Sequence, residues 1–282
     1  MTPEILALVL LAAALHASWN ALVKVGGDPF VRLAAINLVS GLCALPLLFL
    51  VAPPAMASWP FLGGSVAIHL CYNLTLAYGY RLGDLSHVYP IARGIAPPLV
   101  ALGAWLAAGE SPGPLGIIAI LVISGAIASL AFTERWRLGP LAPVWLALAT
   151  GVSIAGYTIC DGLGGRAAGD VLGYIAWLFV LDAVPFGLVV VLWRRQDLAD
   201  QLRASWRAPV LGGVLSLGAY GLVIWAMSLA PMASVSALRE TSVIMAALIG
   251  TRLLREPFGR RRVIAASVVA LGVVLLEAGP TF

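Results

Sequence analysis

The sequence predicts an all-α polytopic membrane protein, with ten transmembrane helices arranged as two inverted five-helix repeats. Three observations predict it. Of the 282 residues, 61% are hydrophobic and only 11% are charged, and the mean hydropathy is +0.98. A soluble domain carries about 25% charged residues, so a soluble globular enzyme and a disordered chain are both excluded. The apolar residues fall in long continuous runs, and the cations collect in alternate breaks between them. The two halves of the chain also repeat an Arg-to-Glu spacing. A membrane-spanning helix needs about 20 apolar residues, so ten of them take roughly 200. The remainder suffices for short connections and leaves no room for an extramembrane domain.

The runs follow in order. The first, 3–23, begins with Glu4 and meets no cation before Lys24. Without a basic leader it is a helix, not a cleaved signal. VKVGGD at 23–28 leads to 30–51, and APPAMAS at 52–58 to 60–80. RLGDL at 81–85 leads to 86–108, whose middle holds Pro97-Pro98, a pair that favours a kink. GESPG at 109–113 opens 114–133, ERWRLG at 134–139 opens 141–161, and GLGGRAAGD at 162–170 opens 171–193. The longest connection, RRQDLADQLRASWR at 194–207, precedes 209–229, 232–254 and 261–279. Gly79-x3-Gly83 and Gly169-x3-Gly173 would permit close helix contact. A β-barrel would alternate in segments of about ten residues, and these runs do not.

Orientation follows from the 17 Lys and Arg residues. Arg93 and Arg239 lie inside predicted helices. Fourteen others lie in or beside the first, third, fifth, seventh and ninth connections, and only Arg166 lies on the other side. Cations mark the cytoplasmic side, so both termini are expected outside the cytoplasm, in a bacterial inner membrane. The net charge of +4 therefore reflects membrane topology, and no nucleic-acid partner is expected. Cys43, Cys71 and Cys160 show no metal-ligand spacing and read as small apolar residues. No metal or cofactor is expected.

The repeat is carried by YPIARGIAPPLVALGAWLAAGE (89–110) and VSALRETSVIMAALIGTRLLRE (235–256). Arg93 precedes Glu110 by 17 residues, and Arg239 precedes Glu256 by 17. HASWNALVK (16–24) likewise resembles IAGYTICDG (154–162), with Trp19 opposite Tyr157. The halves are then 1–138 and 139–282. Five helices is an odd number, so the second half enters the membrane upside down, the plan of secondary transporters with midplane sites.

At these residues the chain resembles the EamA-type family of the drug/metabolite transporter superfamily. GYTICDGLGGR (156–166) and SALRETSVIMAALIGTRLLREPFGRRRVIAA (236–266) carry the likeness in the second half, and HASWN (16–20) in the first. The resemblance implies a carrier of small metabolites, often amino acids, working frequently outward.

Charged groups inside a bilayer are expensive and must face the bundle interior. Arg93 and Arg239 each lie about seven residues into a helix, roughly 10 Å below the surface. Each reads as a fork for a substrate carboxylate or a gate carboxylate, or as a structural arginine bonded to carbonyls. Glu240 follows Arg239 at about 100° around the helix; one of the two should face the pathway and the other a neighbouring helix. Glu240 is a candidate proton carrier. His16, Trp19 and Asn20 share a stripe, as do Tyr157, Thr158 and Asp161. His16 reads equally as a titrating group and as interhelical glue. Asp161 reads as a gate or as a solvated helix end. Asp182, midway along the seventh run, reads as a gate or as a structural partner for an arginine. Tyr78, Tyr89 and Tyr220, with Tyr72, Trp105, Trp177 and Trp225, are candidates for an aromatic box; Trp59, Trp136, Trp145, Trp193 and Trp206 suit an interfacial belt. His69 and Asn73 are weaker candidates, and His87 reads as solvated.

The expected function is a secondary transporter of a small polar metabolite, an amino acid or a related zwitterion or anion, exporting it by alternating access. The alternative is a carrier of organic cations such as quaternary ammonium or choline-like solutes. Arg93, Arg239, Asp161, Asp182 and Glu240 sum to −1 when ionised, which leaves both readings open. No GxxxxGK[ST], HExxH or GxSxG occurs, so neither ATP drive nor enzymatic activity is expected. The working unit is expected to be a monomer or a homodimer.

Overall fold

The protein's structure, a computed structural model, describes residues 1–24, 28–82, 85–131, 141–253 and 260–278. Among them every regular element is a helix: α1 (Pro3–Lys24), α2 (Pro29–Ala44), α3 (Trp59–Leu82), α4 (Leu85–Ala108), α5 (Gly113–Ser129), α6 (Leu141–Ala167), α7 (Val171–Ala204), α8 (Arg207–Leu229), α9 (Met232–Arg239), α10 (Ser242–Leu253) and α11 (Arg260–Ala278), with short 3₁₀ turns after α2 and before α3. Local chemistry sets several ends. The Asp28 carboxylate accepts the Phe30 N–H at 2.9 Å and Pro29 takes the first position of α2, both good helix starts. Asp170 caps α7 in the same way through Leu172 N–H, also at 2.9 Å. Gly169, at φ 73°, turns the chain after α6 in the left-handed region that glycine tolerates.

Among the described residues, six helices are long and apolar enough to cross a membrane, and α5 and part of α11 are shorter apolar helices. This is a multi-pass membrane protein. The ten expected runs are all helical among the described residues, but they differ in length and apolar character. α3 has the length, but His69, Tyr72, Asn73 and Thr75 dilute its apolar character. The ninth run divides into α9 and α10 at Glu240-Thr241. There the hydrogen bonds tighten to a three-residue step: Glu240 N–H donates to Ala237 O at 3.1 Å and Thr241 N–H to Leu238 O at 3.0 Å. By contrast, α4 continues through Pro90, Pro97 and Pro98. The break in the ninth run thus occurs in a stretch without proline.

Two connections are also more helical than expected. α6 runs through Gly162, Gly164 and Gly165, whose missing side chains admit Met232, Tyr174 and Ile224 against its backbone. These glycines serve close packing. The segment 194–207 is mostly the end of α7, bent at Arg194 (φ −140°, ψ 33°). Gly173 is also a close contact, but with the Ala52 carbonyl of a connection and not with a helix.

The helices pair as α3 with α6, α1 with α8, α2 with α7, α4 with α6, α1 with α10, and α5 with α11. Gly41 meets Ala183 where α2 crosses α7, and Gly151 meets Ile95 and the Ala92 carbonyl where α6 crosses α4. Outside, Leu106, Trp145, Leu192 and Trp193 are each more than two-thirds exposed. Such a surface would drive association in water and suits lipid.

Candidate functional site

The polar residues of these apolar helices converge. Arg93 of α4 and Glu240, in the break after α9, are 3% and 2% exposed. Their ion pair is a two-pronged fork: Arg93 Nη2 lies 2.9 Å from Glu240 Oε1, and Nε donates to Oε2 at 3.1 Å. Nη2 also reaches Ser242 Oγ at 3.4 Å, at the start of α10. The planar guanidinium therefore clamps both sides of the break.

Arg239, one residue earlier, points elsewhere. It is 5% exposed, and no ion pair among the described residues includes it. Its guanidinium carbon sits 5.1 Å over the Tyr220 ring, a cation–π contact. It lines a cavity of about 80 Å³ to which six further helices contribute. From α1 come His16 and Trp19, from α2 Asn37 and Ser40, from α3 His69, Tyr72 and Asn73, from α6 Tyr157, from α7 Asp182, and from α8 Ser216 and Tyr220.

One wall is aromatic. His69 stacks on Tyr157 at 3.9 Å, and Tyr220 meets Tyr157 edge-on at 5.6 Å. Behind this wall, Asp161 is wholly buried and accepts the hydroxyls of Tyr220 at 2.5 Å and Tyr174 at 2.9 Å. That hydrogen bond leaves the Tyr220 ring richer in electrons beneath Arg239. Asp182 does line the cavity, but its partner is not an arginine: Asn37 Nδ2 donates to Asp182 Oδ2 at 2.8 Å. The second oxygens, Asp182 Oδ1 and Asn37 Oδ1, are buried without a hydrogen-bond partner.

A smaller cavity of about 50 Å³ abuts the first, lined by Asn20, Asp28 and Phe30 among others. Trp19 and Leu33 line both. Asn20 therefore faces the smaller chamber, and its amide donates to His16 O at 2.9 Å. Beside that chamber Asp28 pairs with Arg194 at 2.8 Å, at the bend of α7. At the other end of the bundle, Arg166 pairs with Glu110 and donates to Met227 O and Ala230 O at 2.9 Å each. Glu110 in turn accepts Met232 N–H at 2.8 Å. Arg166, the one cation expected on the non-cytoplasmic side, thus ties the ends of α4, α6 and α8 to the start of α9.

The structure thus brings His16, Trp19, Tyr157, Tyr220, Arg239 and Asp182 to the main cavity. It places Arg93 and Glu240 in a clamp and Asp161 behind the aromatic wall. Tyr89 lies one turn before Arg93 and lines neither cavity. Tyr78 does not join the site: it is half exposed on α3. Trp105 is exposed as well, Trp177 packs edge-on against Trp59, and Trp225 packs into the apolar core. Trp136 and the side chain of His87 fall outside the described residues. Sequence reasoning missed Asn37 and underrated His69 and Asn73. A signal existed: His69-x2-Tyr72-Asn73 repeats the spacing of His16-x2-Trp19-Asn20.

Residues 141–277 match the sequence model of the EamA-like transporter family. No curated protein matches the chain in sequence. A solved structure titled only "Crystal structure of protein" is similar in fold, with a TM-score of 0.76 at 14% identity, over 98% of this chain and 96% of that one.

Proposed function

We propose that this EamA-like transporter is a secondary carrier of a small polar metabolite, an amino acid or a related zwitterion or anion, and that it exports it. The observation that carries this reading is Arg239. A buried guanidinium that lines a cavity and has no carboxylate partner among the described residues is a standing site for an anionic group. The second reading, organic cations, is favoured by the His69–Tyr157–Tyr220 wall and opposed by the charge of Arg239.

Alternating access between two inverted halves, 1–138 and 139–282, is part of the proposal. The helix pairing supports it. Advancing each element by five predicted spans turns the α3–α6 pair into α8–α1, and α4–α6 into the contact of α1 with α9 and α10. The pairs α2–α7 and α5–α11 each map onto themselves.

A melting-temperature screen in detergent against amino acids, phosphonates and quaternary amines tests the reading. Ligands that bind the folded state raise Tm by mass action. Stabilisation by amino acids, lost in Arg239→Ala, is the expected result. Stabilisation by quaternary amines alone would overturn it.

A further inference from the structure

The site has a second pole that the Arg239 argument leaves unused. Asp182 is more than nine-tenths buried, belongs to no ion pair among the described residues, and lines the same cavity as Arg239. Asn37 spends its amide donor on Asp182 Oδ2. What is left is two buried acceptors, Asp182 Oδ1 and Asn37 Oδ1, with no hydrogen-bond donor among the described residues. Buried acceptors are almost always satisfied. They call for a group with several N–H donors and a positive charge. Ser40 does not supply one, because its hydroxyl is held by Ile36 O at 2.9 Å and Gly213 O at 3.0 Å.

We infer that Asp182 and Asn37 form the ammonium pole of the carrier site, opposite in charge to Arg239, so that the cavity selects solutes bearing both an anionic and an ammonium group. The inference rests on the carrier reading and sharpens it. A simple anion meets the Asp182 carboxylate without compensation, and a simple cation meets Arg239. A zwitterion satisfies both ends at once. Specificity of this kind arises because a ligand lacking one group leaves a buried polar partner unpaired. Asp182 and Asn37 are then specificity-determining residues, and the aromatic wall bounds the space left for the solute's side chain.

The test uses the purified full-length protein and matched triplets of one carbon skeleton: the α-amino acid, the carboxylic acid lacking its amine, and the amine lacking its carboxylate. Small aliphatic, polar and aromatic skeletons are included. In the wild-type protein only amino acids should raise Tm. Asp182→Asn should weaken the amino acid roughly 30-fold or more, as truncation of one member of a buried charge pair does, while the carboxylic acid gains. Arg239→Gln should do the reverse and favour the amine. Asn37→Ala should weaken the amino acid and leave the carboxylic acid unchanged. A carboxylic acid that binds wild type as tightly as its amino acid overturns the inference even if no variant folds. So does stabilisation by sodium chloride over choline chloride that vanishes in Asp182→Asn, because the acceptors then hold an inorganic cation. Failure of the carrier reading looks different: proteoliposomes of wild type would pass no member of any triplet.

Discussion

Arg239 and Glu240 are adjacent, yet their geometry assigns them opposite duties. Glu240 is half of a buried fork with Arg93, and removing one partner of such a pair costs about 3–5 kcal/mol. Glu240→Ala should therefore lower the Tm of the detergent-purified protein strongly. Arg239 belongs to no ion pair among the described residues and packs over the Tyr220 ring, a contact worth about 0.5–2 kcal/mol. Arg239→Ala should melt close to wild type while abolishing flux. Equal melting shifts in the two variants would contradict this division. At this scale the charged residues were legible in the sequence, because so few charges lie within apolar runs. The roles within an adjacent pair were legible only as an either-or, since a helical turn of about 100° separates directions without saying which neighbour each one meets. Asn37 was not legible at all. It carries no charge, and its importance comes from the Asp182 carboxylate that α7 brings to it, 145 positions away in sequence.

Among the elements, α1 and α2 hold the partition. Trp19 is buried and, with Leu33, forms the wall shared by the central and the smaller cavity. Its indole packs edge-on against His16 at 5.1 Å. Shortening it should join the two spaces. In a background where Cys43, Cys71 and Cys160 are replaced, a cysteine at Asn73 of the central cavity should react faster with a small thiol reagent in Trp19→Ala, and at the wild-type rate in Trp19→Phe. An unchanged rate in Trp19→Ala would mean the partition lies elsewhere. The elements also show where sequence reading of helices failed. Proline marks α4 in the sequence, but in a membrane helix neighbouring groups can satisfy what proline leaves unbonded, and α4 continues through three of them. The actual break follows Arg239, where Thr241 Oγ1 donates to the Leu238 carbonyl at 2.8 Å and Arg93 clamps Glu240 from outside the helix. That cause is tertiary and has no local signature.

Across the whole molecule, contacts between helix ends sort the termini of the spans into two faces. The N-terminal amine lies 3.5 Å from Glu277, near the end of α11. This places the start of α1 and the end of α11 together, as an even number of crossings requires. The Glu110–Arg166 network gathers the ends of α4, α6 and α8 with the start of α9. Asp28 and Arg194 gather the start of α2 with the bend of α7. The same division follows from counting alternate connections, which the cation bias had supplied independently. The bias also gives the sign: the Asp28–Arg194 face carries the cations and should be cytoplasmic. The two faces are not held equally. Asp28 and Arg194 are each about a third exposed, and such a pair contributes roughly 0–1 kcal/mol. Arg166 adds two bonds to backbone carbonyls, which α8 leaves unpaired at its end. The cytoplasmic face should therefore open more readily. Two labelling experiments follow in cells carrying cysteine-free protein. A cysteine at Thr2 should react with an impermeant thiol reagent added outside intact cells; labelling only after permeabilisation would invert the topology. A cysteine at Asn73 should be protected from that reagent in otherwise unaltered protein and should become reactive in Glu110→Gln, which weakens the outer clasp. Persistent protection in that variant would show that the clasp is not what closes the outer face.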